Sequence, residues 1–339
     1  MQPASYLGPA LPEPSRPIAW YSWCALPAVL AIALLPAATT FQSYFQDWAN
    51  LPEAHRAFEA DLAAAGRYLA ASDLWRNDRA EVFITSRFYD DRSTLVFFLW
   101  SSLTAAERRR FDESGLDLQW FDENLVTPLP TKDQALYLIA REDNRLESLF
   151  ESAGIQTQAT ALPPLPGLAF SAHRVAAGAA RAAQYTATAS APALARAEGG
   201  LELVGYSLPE SARSGERAFL AVYWRLPAKA PAVIPSVFAH LMGVGDRTLA
   251  LADQVIGYPL AYWKGGQMVV TWHELAIPAG LPPGQYQIQV GVYDKASGRR
   301  EALMLRDRVD SRADIGPLVV TKGASARADV KPKQVLDRP

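Results

Sequence analysis

The chain has 339 residues, of which 33 are Lys or Arg and 35 are Asp or Glu, and its formal net charge at pH 7 is -2. At about 150 residues per domain, this length has room for roughly two domains. The balanced charge argues against binding to nucleic acid through bulk electrostatic attraction. Because Cys24 is the only cysteine in the sequence, an intramolecular disulfide and a cysteine-built metal site are excluded.

Near the N-terminus, residues 17–46 contain no Asp, Glu, Lys or Arg. The apolar part, residues 18–38, would span about 31 Å as a helix, which matches the hydrocarbon thickness of a bilayer. Aromatic residues flank this run on both sides, as is typical of rings at headgroup level. We therefore predict a transmembrane helix over residues 18–40, preceded by a flexible N-terminus over residues 1–17.

The charges beside this segment favour a cytoplasmic N-terminus, because Arg16 precedes it while Asp47 and Glu53 follow it. This orientation predicts a single-pass protein of the cell membrane whose following domains are extracytoplasmic. Two alternatives remain open for the same segment. A cleavable signal peptide would end near Ala37 and Ala38, and a buried globular helix would need no membrane.

A small α/β domain is expected over residues 41–153. Helical spacing of apolar residues predicts a helix over 51–71, and Thr104 with Glu107 has the spacing of a capping box before a helix over 107–113. Residues 94–103 fit either a helix or a strand. A closing helix is predicted over 146–152, and apolar, β-forming runs predict three strands, over 81–86, 118–121 and 135–140.

Residues 154–199 are rich in alanine and proline and are interpreted as a linker. After it, seven short β-forming segments separated by turn signals predict an antiparallel β-sandwich over residues 200–321, of immunoglobulin-like or jelly-roll-like type. The fold class is thus a multidomain α+β protein with one N-terminal transmembrane helix. A disordered tail is expected over 322–339. The predicted sandwich strands are 201–208, 218–226, 236–242, 249–254, 268–277, 285–293 and 314–320.

The sequence contains none of the common catalytic or phosphate-binding motifs. Its four histidines share no ligand spacing, and adjacent acidic residues do not by themselves face one substrate. The basic cluster at residues 108–110 is typical of a solvated helix face, with contact to lipid phosphate or an anionic sugar as the alternative. No catalytic residue, metal site or cofactor is therefore predicted.

The most suggestive stretch is the aromatic loop, residues 257–266, with the sequence GYPLAYWKGG. Its rings Tyr258, Tyr262 and Trp263 lie between glycines, and exposed rings can stack on the apolar faces of sugars. Loops at the ends of a sandwich are common binding sites. These three residues are the candidate ligand-binding site, and packing of the rings over the end of the sandwich is the structural alternative.

Nine stretches of the sequence are considered together: 44–70, 82–91, 118–130, 135–140, 203–208, 221–226, 237–242, 252–263 and 281–294. They resemble the C-terminal region of bacterial glycosyltransferases of the dolichyl-phosphate-mannose-protein mannosyltransferase type, which have a GT-C fold. The resemblance covers most of residues 41–305 and rests on the order and spacing of short motifs. It implies the last transmembrane helix, a small α/β domain and an appended β-sandwich.

The chain departs from that family in one respect. Such enzymes carry their catalytic carboxylate on a loop between early membrane helices, whereas this sequence has a single candidate span. No position can therefore receive the catalytic role. A lipid-linked sugar donor also needs several helices to hold its chain.

These features lead to three hypotheses. The first is a membrane-anchored extracytoplasmic accessory protein of the cell envelope that binds carbohydrate or a multi-spanning membrane protein, is not itself an enzyme and does not bind nucleic acid. The second is a fragment or split subunit of a GT-C glycosyltransferase that transfers sugar from a lipid-linked donor. The third is a structural cell-envelope protein.

Overall fold

A computed structural model describes Val29, Ile32 and residues 34–47, 60–72, 80–86, 92–114, 118–139, 157–161, 171–176 and 194–323. The chain divides into two compact units: Met1–Phe58 with Leu165–Gly167, and Glu59–Pro164 with Leu168–Pro339. The mixed α+β class is confirmed, because the second unit combines helices with three β-sheets.

In the first unit, residues 34–41 are helical and continue into a π-helix, Gln42–Asp47. The large apolar side chains of Val29, Ile32, Leu34 and Leu35 are exposed. Within the described residues, no helix combines the length and the apolar character needed to cross a membrane. Most of the span predicted over residues 18–40 lies outside those residues, as do the flexible segment predicted over 1–17 and the start of the helix predicted over 51–71.

In the second unit the described residues form three helices, α1 (Ala60–Ala71), α2 (Arg92–Ser101) and α3 (Ala105–Ser114), and strand β1 (Ala80–Thr85) lies between α1 and α2. The run over 94–103, which fits either a helix or a strand in the sequence, is helical as far as Ser101. The capping box before α3 is confirmed, since Thr104 N donates to Glu107 Oε2 at 2.8 Å and Glu107 N donates to Thr104 Oγ1 at 3.4 Å. The helix predicted over 146–152 lies outside the described residues.

A five-stranded mixed sheet follows the order β2-β1-β4-β6-β5, and β1 is parallel to both β2 and β4. Helices α2 and α3 lie between β1 and β2 in the chain, so these elements form a βαβ unit. Its strands are β1 (Ala80–Thr85), β2 (Leu118–Phe121), β4 (Gln134–Ile139), β5 (Thr157–Ala161) and β6 (Ser171–Ala176). The three strands predicted in this region are confirmed within one residue at each end.

A seven-stranded sheet follows the order β16-β15-β7-β8-β10-β13-β3, and every pairing in it is antiparallel. Turns such as the one at Gly215, whose φ is 87°, suit glycine because it lacks a Cβ. The strands are β3 (Val126–Pro128), β7 (Ala195–Ala197), β8 (Glu202–Ser207), β10 (Arg217–Arg225), β13 (Met268–Ala276), β15 (Leu303–Leu305) and β16 (Val309–Asp310).

The third sheet follows the order β12-β11-β14-β17-β9 and is antiparallel except where β17 pairs with β9. Buried residues of this sheet and of the seven-stranded sheet share one hydrophobic cluster, so the expected β-rich module is present. The strands are β9 (Ala212–Arg213), β11 (Ser236–Met242), β12 (Thr248–Val255), β14 (Gly284–Tyr293) and β17 (Ala313–Thr321).

The structure differs from the expected organisation in two places. Strands β5, β6 and β7 lie within residues 154–199, which the composition indicates as a linker. Strand β3, from the predicted α/β domain, pairs with β13 of the seven-stranded sheet. The short, alanine-rich strands carry little hydrophobic signal of their own, and their partners come from distant parts of the chain. Of the tail predicted over 322–339, residues 324–339 lie outside the described residues.

Candidate binding site

The site begins with a charged residue inside an apolar strand. Successive side chains of a strand point to opposite faces of its sheet. Val82 and Ile84 pack with the helices, whereas Phe83 belongs to the cluster that contains the two β-rich sheets. Glu81 therefore shares the face of Phe83 and points toward the β-rich module. It is fully buried, with no exposed surface.

The Glu81 carboxylate is surrounded by donors from three segments. Lys264 Nζ lies 2.6 Å from Oε1. Thr131 donates its backbone N–H to Oε2 at 2.5 Å and its hydroxyl to Oε1 at 2.8 Å. The backbone N–H of Lys132 and the side-chain amide of Gln119 donate at 3.1 and 3.4 Å. The charge is thus both paired and hydrogen-bonded, which is the condition for burying a carboxylate.

These contacts set the protonation state of the carboxyl group. Burial alone would raise the pKa of Glu81, but the hydrogen bond and positive charge of Lys264, with the donors of Thr131, outweigh it. The pKa of Glu81 therefore lies below its ordinary value, and the group is ionised at neutral pH. Such a carboxylate positions its neighbours and is a poor proton donor.

Lys264 belongs to the aromatic loop, and a second contact ties the loop to the same sheet. Tyr258 is fully buried, and its hydroxyl donates a short hydrogen bond to Oε1 of Gln119 on β2. Trp263 Nε1 donates to the carbonyl of Tyr258 at 2.9 Å, and the rings of Tyr258 and Tyr262 are 6.0 Å apart. The loop is therefore hydrogen-bonded both within itself and to the mixed sheet.

The structure brings the three sequence-predicted residues together but gives them different surroundings. Tyr258 lies in the core cluster of the β-rich module and also lines a cleft. Tyr262 packs, partly buried, against both hydrophobic clusters of the second unit. Trp263 lines a separate pocket of about 50 Å³ together with Tyr293 and Asp294. The three rings therefore do not form one open stacking platform.

Gly257 allows the start of the loop to approach the end of β2. Its carbonyl accepts a hydrogen bond of 2.8 Å from the backbone N–H of Asp122. A Cβ at this position would lie 2.8 Å from Cβ of Asp122 and 3.1 Å from Cβ of Leu125. Only glycine fits this approach without movement, because real Cβ atoms do not come so close.

A cleft of about 320 Å³ lies beside this contact. It is formed by the carboxyl ends of β1 and β2 on one side and by β12 with the start of the aromatic loop on the other. The carboxyl ends of parallel strands are the usual ligand-binding edge of α/β sheets. Ser86 and Asp122 supply polar groups, while most of the lining is apolar: Trp120, Phe121, Ile234, Val255, Ile256 and Pro259.

His273 and Arg108, which belong to the histidines and the basic cluster noted in the sequence, have structural contacts. Burial lowers the pKa of His273 to about 4, and its ring contacts the carbonyl of Ala252 and the hydroxyl of Thr271. Arg108 donates to the carbonyls of Trp100 and Ser101 at the end of α2. Across the described ranges, no three His, Cys, Asp or Glu residues are grouped to hold a metal ion. His55 lies outside those ranges.

Sequence reasoning missed the residues that connect the loop to the sheet, namely Glu81, Gln119 and Lys264. One signal was present: Glu81 is a charge at the start of a run of β-forming apolar residues, and a buried charge requires a partner. The identity of that partner could not be read from the sequence, because Lys264 is 183 positions away.

Comparison with known proteins gives no family. No family model matches the chain, and no curated protein matches it. Among solved structures, the CARDB domain of a Pyrococcus furiosus protein in complex with di-metal ions has a TM-score of 0.23 at 12% identity, covering 37% of this chain and 91% of that one. The DNA-bound Pseudomonas fluorescens alkylpurine DNA glycosylase AlkC has a TM-score of 0.20 at 16% identity, covering 42% of this chain and 34% of that one. These likenesses are too low to carry an argument.

Proposed function

We propose that the chain is a membrane-anchored, non-catalytic binding module, whose binding site is the cleft between the mixed sheet and the aromatic loop. The observation that carries this proposal is the position of the cleft. It lies at the carboxyl ends of β1 and β2, and its volume of about 320 Å³ is at the lower end for ligand pockets. The paired Glu81 and the buried Tyr258 hold its walls together.

The proposed anchor is the apolar segment over residues 18–40, with the N-terminus in the cytoplasm and the later domains extracytoplasmic. Its support is the absence of charge over residues 17–46 and the exposure of Val29, Ile32 and Leu35. The resemblance to the C-terminal part of GT-C glycosyltransferases supports the same location. Within this proposal the two β-rich sheets form an immunoglobulin-like or jelly-roll-like sandwich, and the partner is a carbohydrate or a multi-spanning membrane protein.

The anchor is tested by expressing the full chain in a bacterial host and washing the membranes with alkaline carbonate. We expect the chain to stay in the pellet. Replacing Val29 and Ile32 together by Asp should release it, because a charge near the centre of the span disfavours insertion by about 2.5–3.5 kcal/mol. Ser43→Asp, beyond the predicted span, is the control and should not. Release of the unchanged chain would contradict the proposed anchor.

The binding role is tested by crosslinking in intact cells, recovery from detergent and a glycan array. Recovery of a multi-spanning protein or a saturable glycan signal supports the proposal, provided that Val255→Trp in the cleft reduces it and Leu251→Trp on the same strand does not. Leu251 is 64% exposed and does not line the cleft. Recovery of sugar-transfer activity with the partner would instead favour the split-glycosyltransferase hypothesis.

A further inference from the structure

Helix α2 exposes large apolar side chains of a kind that helices in globular proteins usually bury. Its sequence, RSTLVFFLWS, contains no charged residue after Arg92. Leu95 and Leu99 are fully buried in the cluster that α2 shares with α1 and the mixed sheet. In contrast, Phe97 is 61% exposed and Trp100 is 36% exposed. Because residues three positions apart are neighbours on a helix, these two rings form one exposed aromatic patch.

Arginine side chains from both neighbouring helices border this patch. The guanidinium group of Arg67, on α1, lies 5.1 Å from the centre of the Phe98 ring, and that ring lies 5.4 Å from the ring of Phe97. The guanidinium group of Arg108, on α3, lies 4.4 Å from the centre of the Trp100 ring. Cations therefore lie beside the exposed rings at both ends of the patch.

The acidic residues of α3 are set apart from these contacts. They lie in its first turn, where Glu107 accepts hydrogen bonds from Thr104, and after Phe111. Arg109 adds a further exposed cation next to Arg108. The two exposed rings and the three arginines are here called the α2 surface. Its members are Arg67, Phe97, Trp100, Arg108 and Arg109.

This combination of side chains restricts the partner that can cover the α2 surface. A purely apolar partner would bury the guanidinium groups without an anion, which is unfavourable. A lipid bilayer offers apolar area and anions together, since aromatic rings settle at headgroup level and arginine binds phosphate through parallel hydrogen bonds. The stem of an arginine can also lie along apolar surface while its charge reaches the phosphates.

We infer that the α2 surface docks on a lipid bilayer that carries anionic headgroups. Phe97 and Trp100 enter the headgroup region, and the arginines pair with lipid phosphates. The inference goes beyond the proposed cleft, which is formed by other residues. It also does not rest on the proposed anchor, because the α2 surface belongs to the second unit of the chain.

The experiment reports the environment of a spin label on α2. In the full chain, Cys24→Ser removes the native thiol, and Ser101→Cys, one helical turn after Phe97, receives a nitroxide. The chain is reconstituted with vesicles of phosphatidylcholine, or of an equimolar mixture with phosphatidylglycerol. Collisions of the label are measured with oxygen, which partitions into lipid, and with a water-soluble nickel chelate. A label at Leu251→Cys, 64% exposed on β12, is the control.

In the mixed vesicles, we expect the label at position 101 to collide more often with oxygen than the control label does. Its collisions with the nickel chelate should be at least about threefold fewer, because the label lies below the aqueous phase. A label as open to the chelate as the control overturns the inference. A label shielded in native membranes but open in lipid vesicles would show that a protein covers the surface, and would overturn it as well.

The rings are tested by Phe97→Glu combined with Trp100→Glu, which should return the label at position 101 to the accessibility of the control. Phe219→Glu, at a residue 51% exposed on β10, is the matched control and should change nothing. The melting temperature checks that the fold is kept, and Phe97→Glu alone gives the same test if the double variant is unstable. Shielding that persists in a folded variant contradicts the insertion of the rings.

The cations are tested by Arg67→Gln and Arg109→Gln. Each should lower the ratio of docked to undocked label about fivefold in the mixed vesicles, and less in phosphatidylcholine, because an arginine near an anionic surface contributes about this factor. Arg108 is kept because it also donates to the carbonyl of Trp100. Lys229→Gln, at an exposed lysine, is the control. Equal losses in both lipids would overturn the electrostatic part of the inference.

These results are separable from the tests of the proposed function. Retention of the chain after the carbonate wash, with a label that stays open to the nickel chelate, contradicts docking of the α2 surface alone. Release of the unchanged chain, with a label that is still shielded by added vesicles, contradicts the anchor alone and supports docking. Val255→Trp in the cleft should leave the label unchanged, since Val255 lines the cleft and is not part of the α2 surface.

Discussion

The mixed sheet is buried on both faces, but the two faces are built by different chemistry. Toward α1 and α2 it presents Val82, Ile84, Leu136 and Leu138, all with 2% exposure or less. The opposite face combines the rings of Phe83, Phe121 and Tyr137 with the buried polar groups of Glu81 and Gln119. Parallel strands usually need cover on both sides, and here one cover consists of helices and the other of β-strands and loops.

The chemical difference between the two faces determines how exactly each face positions the segments that pack on it. Apolar contacts stabilise in proportion to the area that they bury and accept small shifts, whereas hydrogen bonds require defined distances and angles. The side of the mixed sheet that packs on α1 and α2, here called the helix face, can therefore supply most of the stability. The side that carries Glu81 and Gln119, here called the polar face, fixes where the aromatic loop and residues 131–132 contact the sheet. The walls of the cleft depend on that position. The four predictions that follow separate these two roles.

The largest expected effect is on the helix face. Leu136→Ala removes a fully buried side chain from the centre of the sheet and should lower the free energy of unfolding by about 3–4 kcal/mol. Because no titratable group is involved, the loss should be the same at pH 5 and pH 7. Urea unfolding of the full chain at both pH values measures it, and a loss that changes with pH would contradict the apolar character of this face.

The second-largest loss of stability is expected from a substitution on the polar face. Lys264→Met leaves the Glu81 carboxylate buried without its cation and should cost about 3 kcal/mol at pH 7, at the low end for buried pairs because 34% of the Lys264 side chain is exposed. Adding Glu81→Gln should recover part of that loss. Lys229→Met, which removes an exposed lysine, is the control.

The pH dependence of this variant follows from the pKa of Glu81. In the native chain that pKa is lowered, so the pair stabilises the fold above the unfolded pKa of about 4.3 and this contribution is lost as the pH falls below it. Without Lys264, burial raises the pKa, the folded state takes up a proton first, and the deficit should shrink as the pH falls from 7 toward 5. His273 also titrates at acidic pH, but in both proteins, so it cancels in their difference. A deficit that is constant from pH 7 to 5 would contradict the pairing.

Sequence patterns predicted where helices and strands lie better than they predicted which strands pair with each other. Strand β11 and strand β2 match their predicted bounds, since both are short β-forming runs between turns or polar residues. Strands β5 and β7 were missed because threonine, alanine and arginine carry no clear alternation there. Those strands form because β5 pairs with β6 and β7 pairs with β8. This pairing depends on the whole fold and not on the sequence of each segment.

The candidate site was predictable only in part. Glycines and aromatic residues draw attention to residues 257–266, yet the same composition suits an exposed loop and a buried one. The contacts that decide between them come from Glu81 and Gln119, far away in the chain. The cleft is likewise formed by ends of strands that are distant in sequence, and no local pattern indicates such a meeting.

A smaller effect concerns the packing of α1 on α2. At Gly66 an added Cβ would lie 2.6 Å from the carbonyl oxygen of Leu95 and 2.8 Å from the backbone nitrogen of Leu99. Gly66→Val should force the helices apart and destabilise the chain by about 2 kcal/mol, within the range for overpacking. Thermal unfolding measures the change, with Ala71→Val on the exposed side of α1 as the control.

The smallest effect tests the polar face without removing a charge. Tyr137 adjoins Leu136 on β4 but faces the β-rich module, where its hydroxyl donates to the carbonyl of Pro128 at 2.7 Å. Tyr137→Phe keeps the ring stacked on Phe83 and removes the hydrogen bond to Pro128, so we expect a loss of about 1 kcal/mol in urea unfolding. Pro128 belongs to β3, which pairs with β13.

Loss of this hydrogen bond should therefore weaken the contact between the mixed sheet and the β-rich module more than it weakens the mixed sheet itself. Hydrogen exchange would then increase at β3 and leave β1 unchanged, because the parallel pairing of β1 with β2 and β4 is not altered. A uniform increase across both strands would mean that the polar face contributes general stability. An increase confined to β3 would mean that it specifies how the modules dock.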